Sequence, residues 1–117
     1  MPKRVAVIDL GSNSMRLAIF ERTSRFGFYI LAEHKLKIRL ANGAYENGGM
    51  LQMPAMKNAL EAFLEFKSLI KNYRANRVLC VGTSALRDAP NKNDFIKMVK
   101  KAANISIRVI DGTSEAN

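Results

Sequence analysis

Apolar and polar positions alternate along the first forty residues in a way that predicts three consecutive strands. Residues 5–10 are rich in β-branched side chains and stop at a glycine, which predicts a strand buried on both faces. Residues 15–20 predict its partner, and the small polar turn between the two runs predicts a hairpin. Residues 28–40 predict a third strand, because aliphatic and basic residues alternate toward its end and give one apolar and one basic face.

A long helix is predicted over residues 53–73. The composition shifts to Asn, Gly, Tyr and Glu over residues 41–49, which predicts a loop that leaves the sheet. Beyond that loop, large apolar residues recur at helical spacing. The side chains expected to face the core are Met53, Met56, Leu60, Phe63, Ile70 and Tyr73.

Residues 77–82 predict a fourth strand that leads into a short helical turn. Thr83 and Ser84 are suitable caps for that turn, which contains Arg87 and is closed by Pro90.

A second helix is predicted after Asn91 or Asn93, either of which suits its N-cap. Residues 105–110 predict a fifth strand, and a further helix is expected to open at Glu115. The side chains expected to be buried on the second helix are Phe95, Met98, Val99 and Ala102. Three strands followed by helix, strand, helix and strand predict an α/β protein with a mixed sheet.

Composition narrows the class of protein. The chain has 117 residues, 48% of them hydrophobic and 25% charged, which is typical of one folded domain. Lys and Arg number 19 against 10 Asp and Glu, a formal charge of +9. Such an excess favours polyanionic partners in general and does not select among them.

Cys80 is the only cysteine and lies in an apolar run, so no disulfide framework and no cysteine metal cluster is expected. The first apolar run is interrupted by Asp9, and no stretch reaches the length that spans a bilayer. We therefore expect a cytoplasmic protein without a membrane partner.

Polar residues are expected at or just after the carboxyl ends of several strands, where ligands gather in open α/β sheets. These residues are Asp9, Thr83, Arg87 and Glu115. Although they are far apart in sequence, this placement predicts that they converge.

The turn after the first strand suits an anion. Gly11 allows the backbone to approach closely, while Ser12, Asn13 and Ser14 fill little space and offer polar groups to a phosphate. Asp9, just before this turn, is a suitable oxygen ligand for Mg²⁺ or another divalent cation.

Arg87 offers a planar guanidinium group to phosphate oxygens, and Glu115 can orient or deprotonate an attacking water within hydrogen-bond reach. Each feature also has an ordinary structural interpretation. The polar turn closes a hairpin, Asp9 caps it, Arg87 lies on a helix surface, and Glu115 is stabilised by a helix dipole. The residues alone leave both interpretations open.

Three segments together resemble the exopolyphosphatase and guanosine pentaphosphate phosphatase family. Residues 7–17, VIDLGSNSMRL, resemble its first phosphate loop. Residues 82–91, GTSALRDAPN, followed by Phe95, are similar to its Thr-Ser-Ala-x-Arg-x-Ala-x-Asn segment. Residues 109–116, VIDGTSEA, are similar to its Ile-Ser-Gly-x-x-Glu-Ala segment, with Asp111 where the family often has serine. The first segment is shared loosely with the actin-like ATPase and sugar kinase superfamily, but the three in this order are specific.

The resemblance implies a ribonuclease-H-like fold and the hydrolysis of a terminal phosphoanhydride by a metal-assisted water. It implies inorganic polyphosphate or guanosine pentaphosphate as substrate. By position in the motifs, Asp9 matches the acid before the loop, Arg87 a phosphate-contacting arginine, and Glu115 the catalytic base. Gly11 to Ser14 match the phosphate loop itself.

Members of that family are much longer and carry a second glycine-rich loop, Asp-x-Gly-Gly-Gly-Ser, which does not follow Glu115 here. Residues 1–117 are therefore expected to form the N-terminal part of the first lobe of a two-lobe phosphohydrolase, without a second domain. Alone, the chain is expected to be inactive, and it is expected to self-associate through apolar surface left uncovered.

Two other functions are consistent with parts of the sequence. A small nucleic-acid-binding module would use the basic face of Lys35, Lys37 and Arg39, although the residues interleaved with them are aliphatic rather than the aromatic platforms such modules use. An ATP-binding domain of the actin-like superfamily would account for the first segment and leave the other two unexplained.

Overall fold

The structure, a computed structural model, describes residues 3–25, 27–82 and 84–110. Five strands, three α-helices and one 3₁₀ turn form in these residues. In chain order they are β1 Lys3–Leu10, β2 Ser14–Arg22, β3 Phe28–Lys37, the 3₁₀ turn Tyr45–Asn47, α1 Met53–Asn72, β4 Arg77–Gly82, α2 Ser84–Asp88, α3 Lys92–Ala103 and β5 Ile107–Val109.

The strands form one mixed sheet in the order β3-β2-β1-β4-β5. β1 is central, antiparallel to β2 and parallel to β4, and β4 is parallel to β5. The predicted α/β architecture with a mixed sheet is confirmed. Because β1 and β4 run in parallel, the turn after β1 and the start of α2 lie at the same end of the sheet.

The core lies between the sheet and the two long helices. Fully buried strand side chains, among them Ile8 and Leu17, alternate along β1 and β2 on one face. Phe63 of α1 and Phe95 of α3 are also fully buried, with ring centroids 6.3 Å apart and planes tilted by 55°. This aromatic contact joins the two helices over that face of the sheet.

The prediction that β1 is buried on both faces is wrong. Along β1 the side chains on the second face are only half-buried at Val5 and Val7 and exposed at Asp9. Leu79 of β4, paired with Val7, is 45% exposed. The apolar run reflects a sheet face that α1 and α3 do not cover, since both pack on the other side.

β3 ends at Lys37 rather than at residue 40. The backbone N–H groups of Ile38 and Arg39 both donate to the Asn13 carbonyl, at 2.9 and 3.0 Å, and Arg39 has a positive φ of 48°, which turns the chain away from the sheet. The predicted alternation of an apolar and a basic face is confirmed and continues past the end of the strand. Ile38 and Leu40 are buried, while Lys35, Lys37 and Arg39 are exposed.

The buried faces of α1 and α3 differ from the predicted ones at the ends of the helices. In α1, Met53 is 49% exposed because it is the first residue of the helix, whereas Phe66 is fully buried and belongs to the stripe. In α3, Ala103 rather than Ala102 follows Phe95 and Val99 at four-residue spacing on the buried face. None of the described helices is long and apolar enough to span a bilayer.

Glu21 holds the opposite end of the sheet together. Its carboxylate accepts a 2.9 Å hydrogen bond from Arg4 Nε and a second one from the Tyr29 hydroxyl, and Arg4 Nη1 also donates to the Tyr73 carbonyl at 2.8 Å. The hydrogen bonds from Tyr29 and then Arg4 lower the pKa of Glu21 below its ordinary value of 4.5. The charged form of Glu21 therefore stabilises the fold.

We expect Glu21→Gln to lower the urea midpoint at pH 7 and to weaken the dependence of stability on acid pH. Because the folded pKa of Glu21 is depressed, its contribution is present above pH 4.5 and is lost as the pH falls through the folded value. Urea unfolding at several pH values between 7 and 3 measures this, with Glu33→Gln, an exposed carboxylate on β3, as control. Parallel pH profiles for the wild type and Glu21→Gln would contradict the expectation.

Candidate functional site

The loop between β1 and β2 is a tight turn in which the carbonyl groups of Ser12, Asn13 and Ser14 accept hydrogen bonds from the protein. Gly11 N donates to the Ser14 carbonyl at 2.9 Å, and a Cβ at Gly11 would lie 3.3 Å from that oxygen. The Ser12 carbonyl accepts a 3.1 Å bond from Ala41 N, and the Asn13 carbonyl accepts those from the residues after β3. The loop is thus fixed against the segment that follows β3.

The hydrogen bonds to the loop carbonyls also determine which way the loop's backbone N–H groups point. In a trans peptide the N–H points opposite to the carbonyl of the preceding residue, so the N–H groups of Asn13 and Ser14 point away from the segment after β3. Within the described part of the chain, the N–H groups of Ser12 and Asn13 donate to no protein acceptor. Backbone amides oriented in this way are suited to bind an anion.

Asp9 lies beside this loop on the open face of the sheet. It is exposed and stands in register with Arg16 on β2 and with Val81 on β4. Arg16 is exposed on the same face and was not predicted as a site residue. The predicted hairpin could have revealed Arg16. In a hairpin, a residue before the turn pairs with the residue that lies at the same distance after the turn, and Asp9 pairs with Arg16 in this way.

Arg87 reaches the same end of the sheet through α2, which follows β4. Its Nε lies 3.6 Å from Asp88 Oδ1, its side chain is 30% exposed, and its carbonyl accepts a 3.2 Å bond from Lys92 Nζ. The structure thus brings Asp9, the loop and Arg87 to one end of the sheet. The predicted site residues Thr83 and Glu115 lie outside the described residues.

Gly82 allows α2 to fold back closely over the sheet. A Cβ at this position would lie 2.7 Å from Leu86 Cδ2 and 3.3 Å from Ile107 Cγ2, so any larger residue forces these buried side chains to move. The Gly82 carbonyl also accepts a 3.0 Å bond from Ile110 N. The glycine that opens the second family-like segment therefore leaves room for Leu86, the residue before Arg87, to pack against the sheet.

Asn91, one of the two residues predicted to cap α3, occupies its N-cap position but makes no capping hydrogen bond with its side chain. Its side chain instead donates to the Leu51 carbonyl at 3.0 Å and accepts from Leu51 N at 2.9 Å. This pair of bonds ties the segment before α1 to the segment between α2 and α3. The asparagine of the second family-like segment thus has a structural role.

Cys80 is not available as a nucleophile. It is buried on β4 next to the site, and burial, followed by the negative charge of Asp9, raises the pKa of its thiol to about 12. The thiol is therefore protonated at neutral pH.

The donor set at the loop fits a Mg²⁺ ion shared with a substrate. In the described ranges no three His, Cys, Asp or Glu residues come together as a metal-binding group. Mg²⁺ commonly binds through one or two carboxylates together with waters and substrate phosphates. Asp9, exposed beside a loop with unbonded amides, supplies one such carboxylate.

Comparison with known proteins shows to which protein family the chain belongs. The model of the Ppx/GppA phosphatase family matches residues 18–117. The chain therefore belongs to the Ppx/GppA phosphatase family, and the resemblance seen in the three sequence segments is confirmed.

Three similar proteins illustrate the relationship. A putative exopolyphosphatase of Haemophilus influenzae is 32% identical over 114 residues, which is 97% of this chain and 35% of that protein. A guanosine-5'-triphosphate,3'-diphosphate pyrophosphatase of Aliivibrio fischeri is 31% identical over 99% of the chain and 23% of that protein. A crystal structure of an exopolyphosphatase from Cytophaga hutchinsonii superposes with a TM-score of 0.92 at 32% identity, covering 97% of this chain and 36% of that one.

The chain thus spans about a third or less of the length of the curated relatives named above. The high TM-score confirms the predicted fold class over nearly the whole chain. What the relatives' names say of substrates applies to those longer proteins.

Proposed function

We propose that this chain forms one wall of the active site of a phosphohydrolase that releases terminal phosphate from inorganic polyphosphate or guanosine pentaphosphate. The observation that carries the proposal is the loop after β1. The carbonyls of Ser12 and Asn13 are bonded to the segment after β3, while the Ser12 and Asn13 amides have no acceptor within the described residues. Asp9 and Arg87 at the same end of the sheet, and membership of a phosphatase family, support it.

In this proposal the loop amides and the Ser12 and Ser14 hydroxyls hold the terminal phosphate, and the Arg87 guanidinium binds two of its oxygens. Asp9 would hold Mg²⁺, which supplies positive charge that neutralises phosphate oxygens when bound. The role of Glu115 rests on its match to the family's third segment.

Glu115 takes a proton from a water molecule as the water oxygen attacks the terminal phosphorus. The phosphoanhydride P–O bond breaks, the shortened chain leaves with the bridging oxygen, and orthophosphate is released. The loop and Arg87 stabilise the negative charge on the transferred group.

We also propose that residues 1–117 correspond to the N-terminal part of the first lobe, which is inactive alone and located in the cytoplasm. The part of the Cytophaga hutchinsonii structure that aligns, 36% of its length, supports that extent. The open sheet face, with Phe28 58%, Ile30 50% and Leu79 45% exposed, supports self-association through uncovered apolar surface.

A titration of the chain with inorganic polyphosphate and with single-stranded DNA of equal charge tests the phosphate site. We expect Arg87→Ala to weaken polyphosphate binding by about tenfold or more, the range for a charge-assisted hydrogen bond to phosphate, and to weaken DNA binding far less. Arg77→Ala, which removes the same charge at the opposite end of β4, is the control. Comparable affinity for both polymers, unchanged by Arg87→Ala or Asn13→Ala, would overturn the phosphate site and favour a nucleic-acid-binding module.

A further inference from the structure

A groove of about 570 Å³ adjoins the phosphate loop on the side of β3. Its volume lies within the range of small-molecule sites, and it exceeds what a single phosphate group requires. The lining side chains with recognition chemistry are Asn13, Lys37, Arg39, Asn42, Tyr45 and Glu46. Asn13 belongs to both the loop and the groove, so the two are continuous.

The groove is held in shape by hydrogen bonds rather than by its ligand. Asn58 Nδ2 on α1 donates to the Ile38 carbonyl at 3.0 Å. Asn47 Nδ2 donates to the Gly43 carbonyl at 2.6 Å, and Gly43 has a φ of 78°, which only glycine adopts without strain. A preformed groove avoids the entropy cost of ordering its walls on binding.

The groove combines two kinds of chemistry. Lys37 and Arg39 are exposed cations and suit phosphate groups that continue from the loop. Tyr45 is 94% exposed, so its ring face is open to a stacking partner. In the described ranges none of the charged groove residues forms an ion pair within the protein.

Glu46 distinguishes a nucleotide from a bare phosphate chain. A carboxylate repels polyphosphate, but its two oxygens can accept hydrogen bonds from the N1–H and 2-amino groups of guanine. An adenine base presents an acceptor at N1 and lacks the 2-amino group, so it gains nothing from this carboxylate.

We infer that this groove is a nucleoside subsite, in which Tyr45 stacks on guanine and Glu46 accepts from its N1–H edge. The 5'-phosphates pass Lys37 and Arg39 to the loop. The inference rests on the proposed function of the loop as the site of the terminal phosphate. It assigns Tyr45 and Glu46 as residues that determine substrate specificity within the same site.

Calorimetric titration of the 117-residue chain with GTP, ATP and inorganic tripolyphosphate at constant salt and Mg²⁺ tests the subsite. We expect GTP to bind about tenfold more tightly than tripolyphosphate, as one stacked base contributes in other proteins. Tyr45→Ala should remove most of that advantage without changing the Kd of tripolyphosphate. Glu46→Gln should reduce the preference for GTP over ATP by severalfold.

The control variants separate the subsite from the loop. Phe28→Ala removes another exposed aromatic ring, 58% exposed at the far end of β3, and should change no affinity. Arg87→Ala should weaken GTP and tripolyphosphate alike, because it acts on the phosphate end. Circular dichroism of each variant confirms that the fold is retained.

The outcomes distinguish the nucleoside subsite from the phosphate-binding function of the loop. If GTP and tripolyphosphate bind equally and Tyr45→Ala changes neither, the subsite is overturned while the loop's function stands. If Tyr45→Ala weakens both ligands equally, the groove carries phosphate alone and the subsite is also overturned. If neither ligand binds the wild type, the loop and the subsite fall together.

Discussion

Phe63→Ala should destabilise the protein by about 3–5 kcal/mol, the usual cost of removing a buried phenyl ring. The Phe63 side chain has no exposed surface, and its ring lies 6.3 Å from that of Phe95, so the change opens a cavity between α1 and α3. The rigid neighbours close such a cavity only in part. In a domain of this size the melting temperature should fall by about 15 °C.

Thermal and urea unfolding of the purified variant measure the effect. Leu64→Ala, at the next position of the same helix, removes a side chain that is 43% exposed and should cost far less. A loss for Phe63→Ala no larger than that for Leu64→Ala would show that the two helices do not pack through this ring pair.

Glu115→Gln should reduce phosphate release by about a thousandfold in an active protein that carries this segment, within the range for loss of a general base. Glutamine keeps the shape and the hydrogen-bonding reach of glutamate but cannot accept the proton of the attacking water. Substrate binding should be nearly unchanged, so kcat falls while KM stays close to the wild-type value.

The control for Glu115→Gln is Glu65→Gln, which removes an exposed carboxylate on α1 and should leave turnover intact. Release of orthophosphate from polyphosphate at saturating Mg²⁺ is the measurement. Near-normal release by Glu115→Gln would refute the assigned role, and equal loss of binding and turnover would indicate a structural effect.

The order of the elements could be predicted because each rests on a short-range pattern. β4 was predicted with its observed bounds, and α1 with its observed start and within one residue of its end, since alternation and helical spacing are local properties. The end of β3 could not be predicted, because residues 38 and 39 both donate to the carbonyl of residue 13, which is distant in sequence. The burial of β1 on both faces was wrong because an apolar run does not show which faces the helices cover.

The candidate site was predictable only in part. Asp9, the loop and Arg87 were predicted as site residues from their positions at strand ends and from the family-like motifs, and their placement at one end of the sheet follows from the parallel pairing of β1 and β4. Arg16 was missed, although its pairing with Asp9 across the hairpin could have revealed it. Tyr45 was missed because the groove that it lines forms only when the segment after β3 packs beside the loop after β1. Lys37 and Arg39 were considered only as part of the basic face that the alternative, a nucleic-acid-binding module, would use, and the fold places them in a groove beside the loop.

The bonds between the loop carbonyls and the segment after β3 couple the site to the edge of the sheet. Three amide protons, those of Ile38, Arg39 and Ala41, are held by carbonyl groups of Ser12 and Asn13. The loop cannot open without breaking these three hydrogen bonds. The loop and the segment after β3 are therefore expected to move together. Local unfolding of the segment after β3 would release the loop, so a ligand that binds the loop is expected to slow hydrogen exchange at these three amides.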